Sequence, residues 1–299
     1  MKQMKFGFAA LAIACAAGAA TAQPTDTIDK IRQTKTITIG NREVSRPFSF
    51  LNEQKQPVGY AVDLCLKVVE QLRKDYNLPD LKVKYLTLSG AERIPKLVDG
   101  SVDMECGATT NTKARQEKVD FSLTYFIAGM KILARKDAGI TDPYSLAGKT
   151  VALSKGTTSE KLFTQLHDSE VPSMKLVQYP NNAEALKAVV EGKADAFPHD
   201  DILLTALLAT VPNHEAYKLT QTYLSIEPYA VMVRKGDKRL LAAVDRTLGG
   251  LYVTGEIYKI YNTWFDTPTL HIPLSRLLQD SITRPSKDAG VALMLGYAI

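Results

Sequence analysis

Residues 105–115 read Glu105-Cys106-Gly107-Ala108-Thr109-Thr110-Asn111-Thr112-Lys113-Ala114-Arg115, and the reading of this stretch decides the fold. Before it, Val102-Asp103-Met104-Glu105 is a short β-compatible run; after it, Asn111 to Glu117 has the composition of a helix start, with Asn111 or Thr112 able to cap free N–H groups. A strand therefore delivers the chain, through Gly107, to a helix N-terminus. Such a turn aims unpaired N–H donors and the positive helix end at one point, with two hydroxyls and Arg115 close by. That suits a carboxylate. The plainer alternative is a capped strand-to-helix connection with a surface arginine, and the remainder of the chain must choose between the two.

Working outward, the 299 residues are 45% hydrophobic, enough for a large core, and the length favours two compact units over one. Lys2 and Lys5 precede the apolar run Phe6 to Ala20, and Ala20-Thr21-Ala22 supplies small residues before Gln23, so residues 1–22 read as an export signal cleaved after Ala22. A membrane anchor would want about 20 uninterrupted apolar residues. Lipoprotein processing at Cys15 is the lesser alternative, because Ala12 stands where a larger aliphatic residue is expected. The formal charge of +5 loses two lysines with the signal and becomes mild, and no basic block with interleaved aromatics appears, which argues against a nucleic-acid partner. Cys65 and Cys106 then remain in an exported chain, where we expect a disulfide rather than two buried thiols.

Ile37-Thr38-Ile39-Gly40 alternates as a first strand and leads to Arg42. Pro47 to Tyr60 reads as a hairpin-like excursion, and Val62, Cys65, Leu66, Val69, Leu72 and Tyr76 fall at helical spacing. Leu81, Val83 and Tyr85 alternate as a strand, and Glu92 to Val98 reads as a helix with Arg93 at its entry. The run Leu97-Val98-Asp99-Gly100-Ser101-Val102-Asp103-Met104 recurs in chemical type as Val189-Val190-Glu191-Gly192-Lys193-Ala194-Asp195-Ala196. Each is a helix end, a glycine cap and a strand start. Each is soon followed by polar groups, Thr109-Thr110 in one case and His199-Asp200-Asp201 in the other, so two similarly built lobes would offer strand ends to one cleft. Lys131 to Ala134 and Thr150 to Leu153 read as strands, Thr157 and Glu160 as a capping box, and Tyr229 to Arg234 as the strand returning to the first lobe.

Arg42, Gly59-Tyr60-Ala61-Val62-Asp63, Gly100-Ser101-Val102-Asp103, Thr109-Thr110, Arg115-Gln116, Val119-Asp120-Phe121-Ser122, Ser154 to Glu160 and Gly192 to Asp201, in this order after an export signal, resemble the periplasmic amino-acid-binding proteins of ABC transporters. The similarity is greatest to the glutamate/aspartate-binding branch and covers nearly the whole mature chain. It implies an α/β fold of the two-lobed periplasmic-binding-protein class (type II), with mixed sheets flanked by helices and two hinge crossings. Lobe 1 would be residues 23–127 plus 231–299, and lobe 2 residues 128–230.

The resemblance also implies roles. Arg115, helped by Thr110 and Thr158, would grip the α-carboxylate of an acidic amino acid; Asp200 would receive its α-ammonium; Arg42 and Arg93 would hold the distal carboxylate. A bidentate guanidinium fits a carboxylate, and an acceptor-only acid fits an ammonium. The chain departs from the pattern at Gly90 and Ala108, where serines are expected, and at Asn182, where a histidine is expected; Ser89 would substitute for the first by a one-residue shift. The implied partners are an acidic amino acid and a membrane permease, the protein acting as a monomer without cofactor or metal. A lyase-type enzyme on the same fold and a sensory protein acting in trans are the rivals. The sequence has no G-x-S-x-G, no H-E-x-x-H and no metal-spaced Cys/His cluster, which leaves His199 beside Asp200 as the one acid–base pair to test.

Overall fold

Short strands alternating with amphipathic helices give an α/β chain, described over residues 26–288 in the computed structural model. Helix α1 (Thr27–Thr34) leads into β1 (Thr36–Asn41), and β2 (Val44–Ser45), β3 (Ser49–Leu51) and β4 (Pro57–Val58) form a small antiparallel sheet. Then come α2 (Tyr60–Asp75), β5 (Lys82–Thr87), α3 (Arg93–Val98), β6 (Met104–Glu105), the single turn α4 (Lys113–Gln116) and the long strand β7 (Val119–Arg135). The next part holds β8 (Thr150–Ser154), α5 (Thr158–Ser169), β9 (Lys175–Tyr179), α6 (Asn182–Val190), β10 (Ala196–Asp200), α7 (Asp201–Leu208) and β11 (Tyr217–Leu219). Strand β12 (Ser225–Arg234) returns the chain to α8 (Lys238–Thr254), α9 (Glu256–Phe265) and α10 (Arg276–Thr283).

The main sheet runs β5-β1-β6-β12-β7-β10-β8-β9, with β11 also on β7. Parallel pairs join β5, β1 and β6 at one end and β10, β8 and β9 at the other; between them lies the antiparallel ribbon of β12 and β7. Each end has its own core. Val151 and Leu153 pack with Phe163 on one face, while Ala152 packs with Leu186 and Phe197 on the other, so the period-2 alternation of β8 feeds two apolar layers. At the first end, Val231 and Val233 join Ile37, Leu64 and Val244, whereas Ala230 and Met232 face Leu97 and Val102. These two bodies are the lobes.

The internal echo proves to be a shared device. Gly100 (φ 80°) and Gly192 (φ 69°) end α3 and α6 in the left-handed conformation that glycine adopts without a Cβ penalty. Asp103 then donates its N–H to Thr38 O and accepts Thr38 N–H on Oδ2, both at 2.8 Å. Asp195 makes the same pair with Thr150, both bonds 2.7 Å. An aspartate thus clasps the first strand of each lobe.

Three details differ from or refine the sequence reading. The strand expected at Lys131 to Ala134 is the tail of β7, continuous for 17 residues, because β12 pairs along it from Val119 to Met130. The helix expected after Asn111 is one turn, with Thr112 the cap that accepts Arg115 N–H. Cys65 and Cys106 are joined in a disulfide, which fastens α2 to the residue before Gly107.

Candidate functional site

Three arginines arrive from three strand or helix ends of the first lobe. Arg42 follows β1; its Nε donates to Leu88 O at 3.0 Å and its backbone N–H to Ser49 Oγ at 2.9 Å. Arg93 opens α3, with Nε on Gly90 O at 3.0 Å and Nη1 on Thr109 Oγ1, which in turn donates to Glu105 Oε2 at 2.8 Å. Arg115 donates from Nη1 to Thr110 O at 2.9 Å. Both Arg93 (2.9 Å) and Arg115 (3.1 Å) reach Gly156 O on the second lobe. Burial first and the Arg93 charge second push Arg42 down to about 9, and the same two causes push Arg115 down to about 10. The three cations repel one another in an enclosed space, and an anion among them would relieve the repulsion.

Backbone donors converge on the same place. Asn111 N–H bonds to Pro228 O and Ala230 N–H to Thr109 O, which makes the bridge Thr110–Tyr229 a non-hydrogen-bonded pair. The N–H and C=O of such a residue point away from the neighbouring strand. Because Thr110 O meets Arg115, Thr110 N–H faces the arginine side too. Across the cleft Thr157 caps α5 by accepting Glu160 N–H at 3.1 Å, and Thr158 stands first in the helix, where N–H groups have no intrahelical acceptor. Glu160 completes the expected capping box one residue early, accepting from Gly156 N–H at 2.7 Å.

The acidic side comes from the end of β10. Asp200 occupies the N-cap position of α7 without capping it; its Oδ2 accepts the Tyr229 hydroxyl, and its Oδ1 is buried with no hydrogen-bond partner among the described residues. Burial opposes the charge, but the surrounding polar groups, among them the Tyr229 hydroxyl and Arg115, outweigh it and hold the carboxyl below its usual range. Tyr229 is itself wedged against Phe48 and Phe126, so an aromatic cluster fixes the hydroxyl that positions Asp200. His199 Nδ1 accepts Asp200 N–H at 2.8 Å, which leaves the ring proton on Nε2, 3.0 Å from Asn182 Oδ1.

Arg42, Arg93, Thr110, Arg115, Thr158, Asn182 and Asp200 therefore line one small cavity. Ser89 is not in that lining: its backbone N–H donates to Glu92 Oε2 at 2.9 Å, turning it to the entry of α3. Gly90 has a different reason to lack a side chain. A Cβ there would lie 2.3 Å from Lys155 O, so the lobes approach backbone to backbone at this point. Asn182 meets the cavity as the partner of His199, and Ala108 lines it directly.

Sequence reasoning missed Glu105 and Glu227. Glu227 is buried in β12, where Oε2 accepts from Thr110 Oγ1 at 2.6 Å and from Thr158 Oγ1 at 2.9 Å, while Oε1 meets Ser225 Oγ. Burial, and after it the Asp200 charge, push its carboxyl up to about 7. The available signal was an acid inside an apolar strand, since Glu105 follows Met104 and Glu227 precedes Pro228-Tyr229-Ala230-Val231. Among the described residues no group of three or more His, Cys, Asp or Glu is placed to hold a metal ion, and no helix is long and apolar enough to cross a membrane.

Known proteins resemble this chain over most of its length. The L-glutamate/L-aspartate-binding protein of Pseudomonas aeruginosa is 40% identical over 272 residues, covering 89% of this chain and 90% of the relative. The glutamate/aspartate import solute-binding protein of Escherichia coli (strain K12) is 34% identical over 273 residues, covering 90% of each. Among solved structures, the cysteine-binding protein from Campylobacter jejuni superposes with a TM-score of 0.74 at 28% identity, covering 85% of this chain and 98% of that one. An ancestral amino-acid-binding protein described as a precursor of cyclohexadienyl dehydratase gives 0.68 at 31% identity, covering 80% and 100%. Residues 37–267 match the bacterial extracellular solute-binding proteins, family 3, and the chain belongs to that family.

Proposed function

We propose that this chain is the exported ligand-binding component of an ABC importer, and that it holds an acidic L-amino acid, glutamate or aspartate, for delivery to a membrane permease. The carrying observation is the meeting of three guanidinium groups and one unpartnered, buried Asp200 oxygen in a single small cavity. Arg115, Thr110 and Thr158 would take the α-carboxylate, Asp200 Oδ1 the α-ammonium, and Arg42 with Arg93 the side-chain carboxylate. The printed names of the Pseudomonas and Escherichia relatives support the same ligand class. Titration calorimetry with glutamate, aspartate and their amides tests this, and native mass spectrometry of unrefolded protein identifies any ligand that co-purifies. Amides binding as tightly as the acids would defeat the specificity.

In this reading the signal, residues 1–22, lies outside the described residues and is removed after Ala22. Lobe 1 (residues 23–127 plus 231–299) and lobe 2 (residues 128–230) close about hinges near Ala128 to Lys131 and Tyr229 to Met232, in a monomer. A ligand bridging charged walls stabilises the closed form. Small-angle scattering with and without ligand should show a smaller radius of gyration in the complex. Binding without catalysis is favoured by His199, whose two ring nitrogens are both engaged, leaving none to take a substrate proton. Prolonged incubation with candidate amino acids should return them unchanged by mass analysis.

A further inference from the structure

Behind Thr110 and Thr158, which line the cavity, sits one more acid than a zwitterion's ammonium requires. Glu227 Oε2 accepts from Thr110 on the first lobe and Thr158 on the second, and Oε1 lies against Ser225 Oγ. This arrangement serves the carboxyl in either protonation state. Ionised, it accepts from all three hydroxyls; protonated on Oε1, it donates to Ser225 while Oε2, now a carbonyl oxygen, still accepts both threonines.

The charges facing it come from two other elements as well as its own strand: Arg115 from α4, Asp200 with His199 beside it from β10, and the Tyr229 hydroxyl from β12. Beyond Arg115 stand Arg93, Arg42 and Glu105. Arg42, Arg93 and Arg115 set against Asp200 and Glu105 leave one positive charge over. An ionised Glu227 cancels it, and a protonated Glu227 leaves it for the ligand.

Building on the acidic-ligand reading, we infer that Glu227 is a specificity-determining residue that retains or takes up a proton as an acidic amino acid enters. Protonated, it gives the cleft an unmatched positive charge suited to a ligand of net charge −1. Ionised, it gives a neutral cleft that no longer favours an acid over its amide. Burial and Asp200 put the carboxyl at about 7 before any ligand arrives, and a carboxylate beside Arg115 adds negative charge nearby and raises it further. A group raised by binding contributes fully below its free value. Glutamate affinity is therefore full below about pH 7 and falls as pH rises above it, by up to about tenfold per unit.

The test is calorimetry with L-glutamate and L-glutamine at about pH 6 and about pH 8.5 on the wild type, Glu227→Gln and His199→Asn. We expect wild-type glutamate binding to weaken about tenfold or more across that range and glutamine binding to change little. Glu227→Gln should bind glutamate at the higher pH about as tightly as the wild type does at the lower, and His199→Asn should keep the pH step whatever its absolute affinity. Near pH 7.5, titration in buffers of differing ionisation enthalpy should show net proton uptake with glutamate in the wild type and none in Glu227→Gln. A flat wild-type profile, a step surviving in Glu227→Gln, or a step lost in His199→Asn overturns the inference while leaving the acidic-ligand reading intact. Failure of glutamate and aspartate to bind at either pH overturns both. Should Glu227→Gln not fold by circular dichroism, absence of proton uptake in the wild type refutes the inference on its own.

Discussion

The helix–glycine–strand unit from Leu97 to Glu105 and its counterpart from Val189 to Asp200 are built alike up to the strand end, and there they part. The first passes through disulfide-bonded Cys106 and Gly107 to a one-turn helix that presents Arg115; the second runs from Asp200 straight into α7. Their clasps differ as well. Asp103 is fully buried and pairs with Lys30 at 2.8 Å and Arg234 at 3.5 Å, whereas Asp195 is only half-buried. The repeated unit supplies position, and the few residues after each strand end supply the sign of charge. A cationic pole and an anionic pole thus sit on equivalent scaffolds.

The sharpest way to break this comparison is to erase a pole. Arg115→Ala or Asp200→Ala should each weaken glutamate binding by about 2 to 5 kcal/mol, because each strands a buried charge, while Lys155→Ala on the exposed rim should change it by less than about 0.5 kcal/mol. Calorimetry showing near-wild-type affinity in Arg115→Ala would remove that pole. Erasing a clasp separates the two units by stability instead. Asp103→Ala should cost about 3 kcal/mol in urea unfolding, since two cations lose their partner, and Asp195→Ala about 1 kcal/mol, since mainly one backbone bond is lost. Equal losses would show that the ion pairs around Asp103 add nothing.

Smaller effects sharpen the picture within the first lobe. Arg93→Ala should lower the preference for glutamate over glutamine by about tenfold, the value of one charge-assisted contact of about 1.5 kcal/mol. Gly90→Ala should weaken binding by about 1 kcal/mol, because its Cβ would meet Lys155 O in the closed arrangement and the lobes would have to part slightly. If competition calorimetry finds Gly90→Ala unchanged, the backbone contact between Gly90 and Lys155 does not limit closure.

The elements legible in the sequence were those with strong local signals. Periodicity gave α2, alternation gave β1 and β5, and Thr157 with Glu160 marked the start of α5. The echo located both strand ends, and Arg42, Arg93, Arg115 and Asp200 do converge on one cavity. The length of β7 was hidden because Thr124 and Gly129 interrupt its apolar character, and only pairing with β12, some hundred residues away, carries the strand through them. Glu227 was half legible for a related reason. An acid ahead of Pro228-Tyr229-Ala230-Val231 signals a buried charge, but its partners are Thr110 and Thr158, 117 and 69 positions distant, so nothing near it in the chain says what holds it. Ser89 stands outside the cavity lining with its backbone N–H on Glu92, a placement that a one-residue shift at a helix entry decides and local sequence does not announce.

The ribbon of β7 and β12 has a mechanical consequence. Two separate linkers would let the lobes slide, twist and swing in any direction, but here the linkers are hydrogen-bonded to each other from Ser225–Met130 to Arg234–Val119. A bonded ribbon flexes across its thin dimension and resists shear along its length. Its register slips at Tyr229–Ala230 and again before Met232, and such bulges are where a strand bends most readily. In the proposed hinge the soft point would be Tyr229, the residue whose hydroxyl holds Asp200. A lever pivoting there sweeps the far tips of the lobes through a wide arc while hardly displacing the anionic pole, so opening would withdraw the rim from a departing ligand before it released the ammonium.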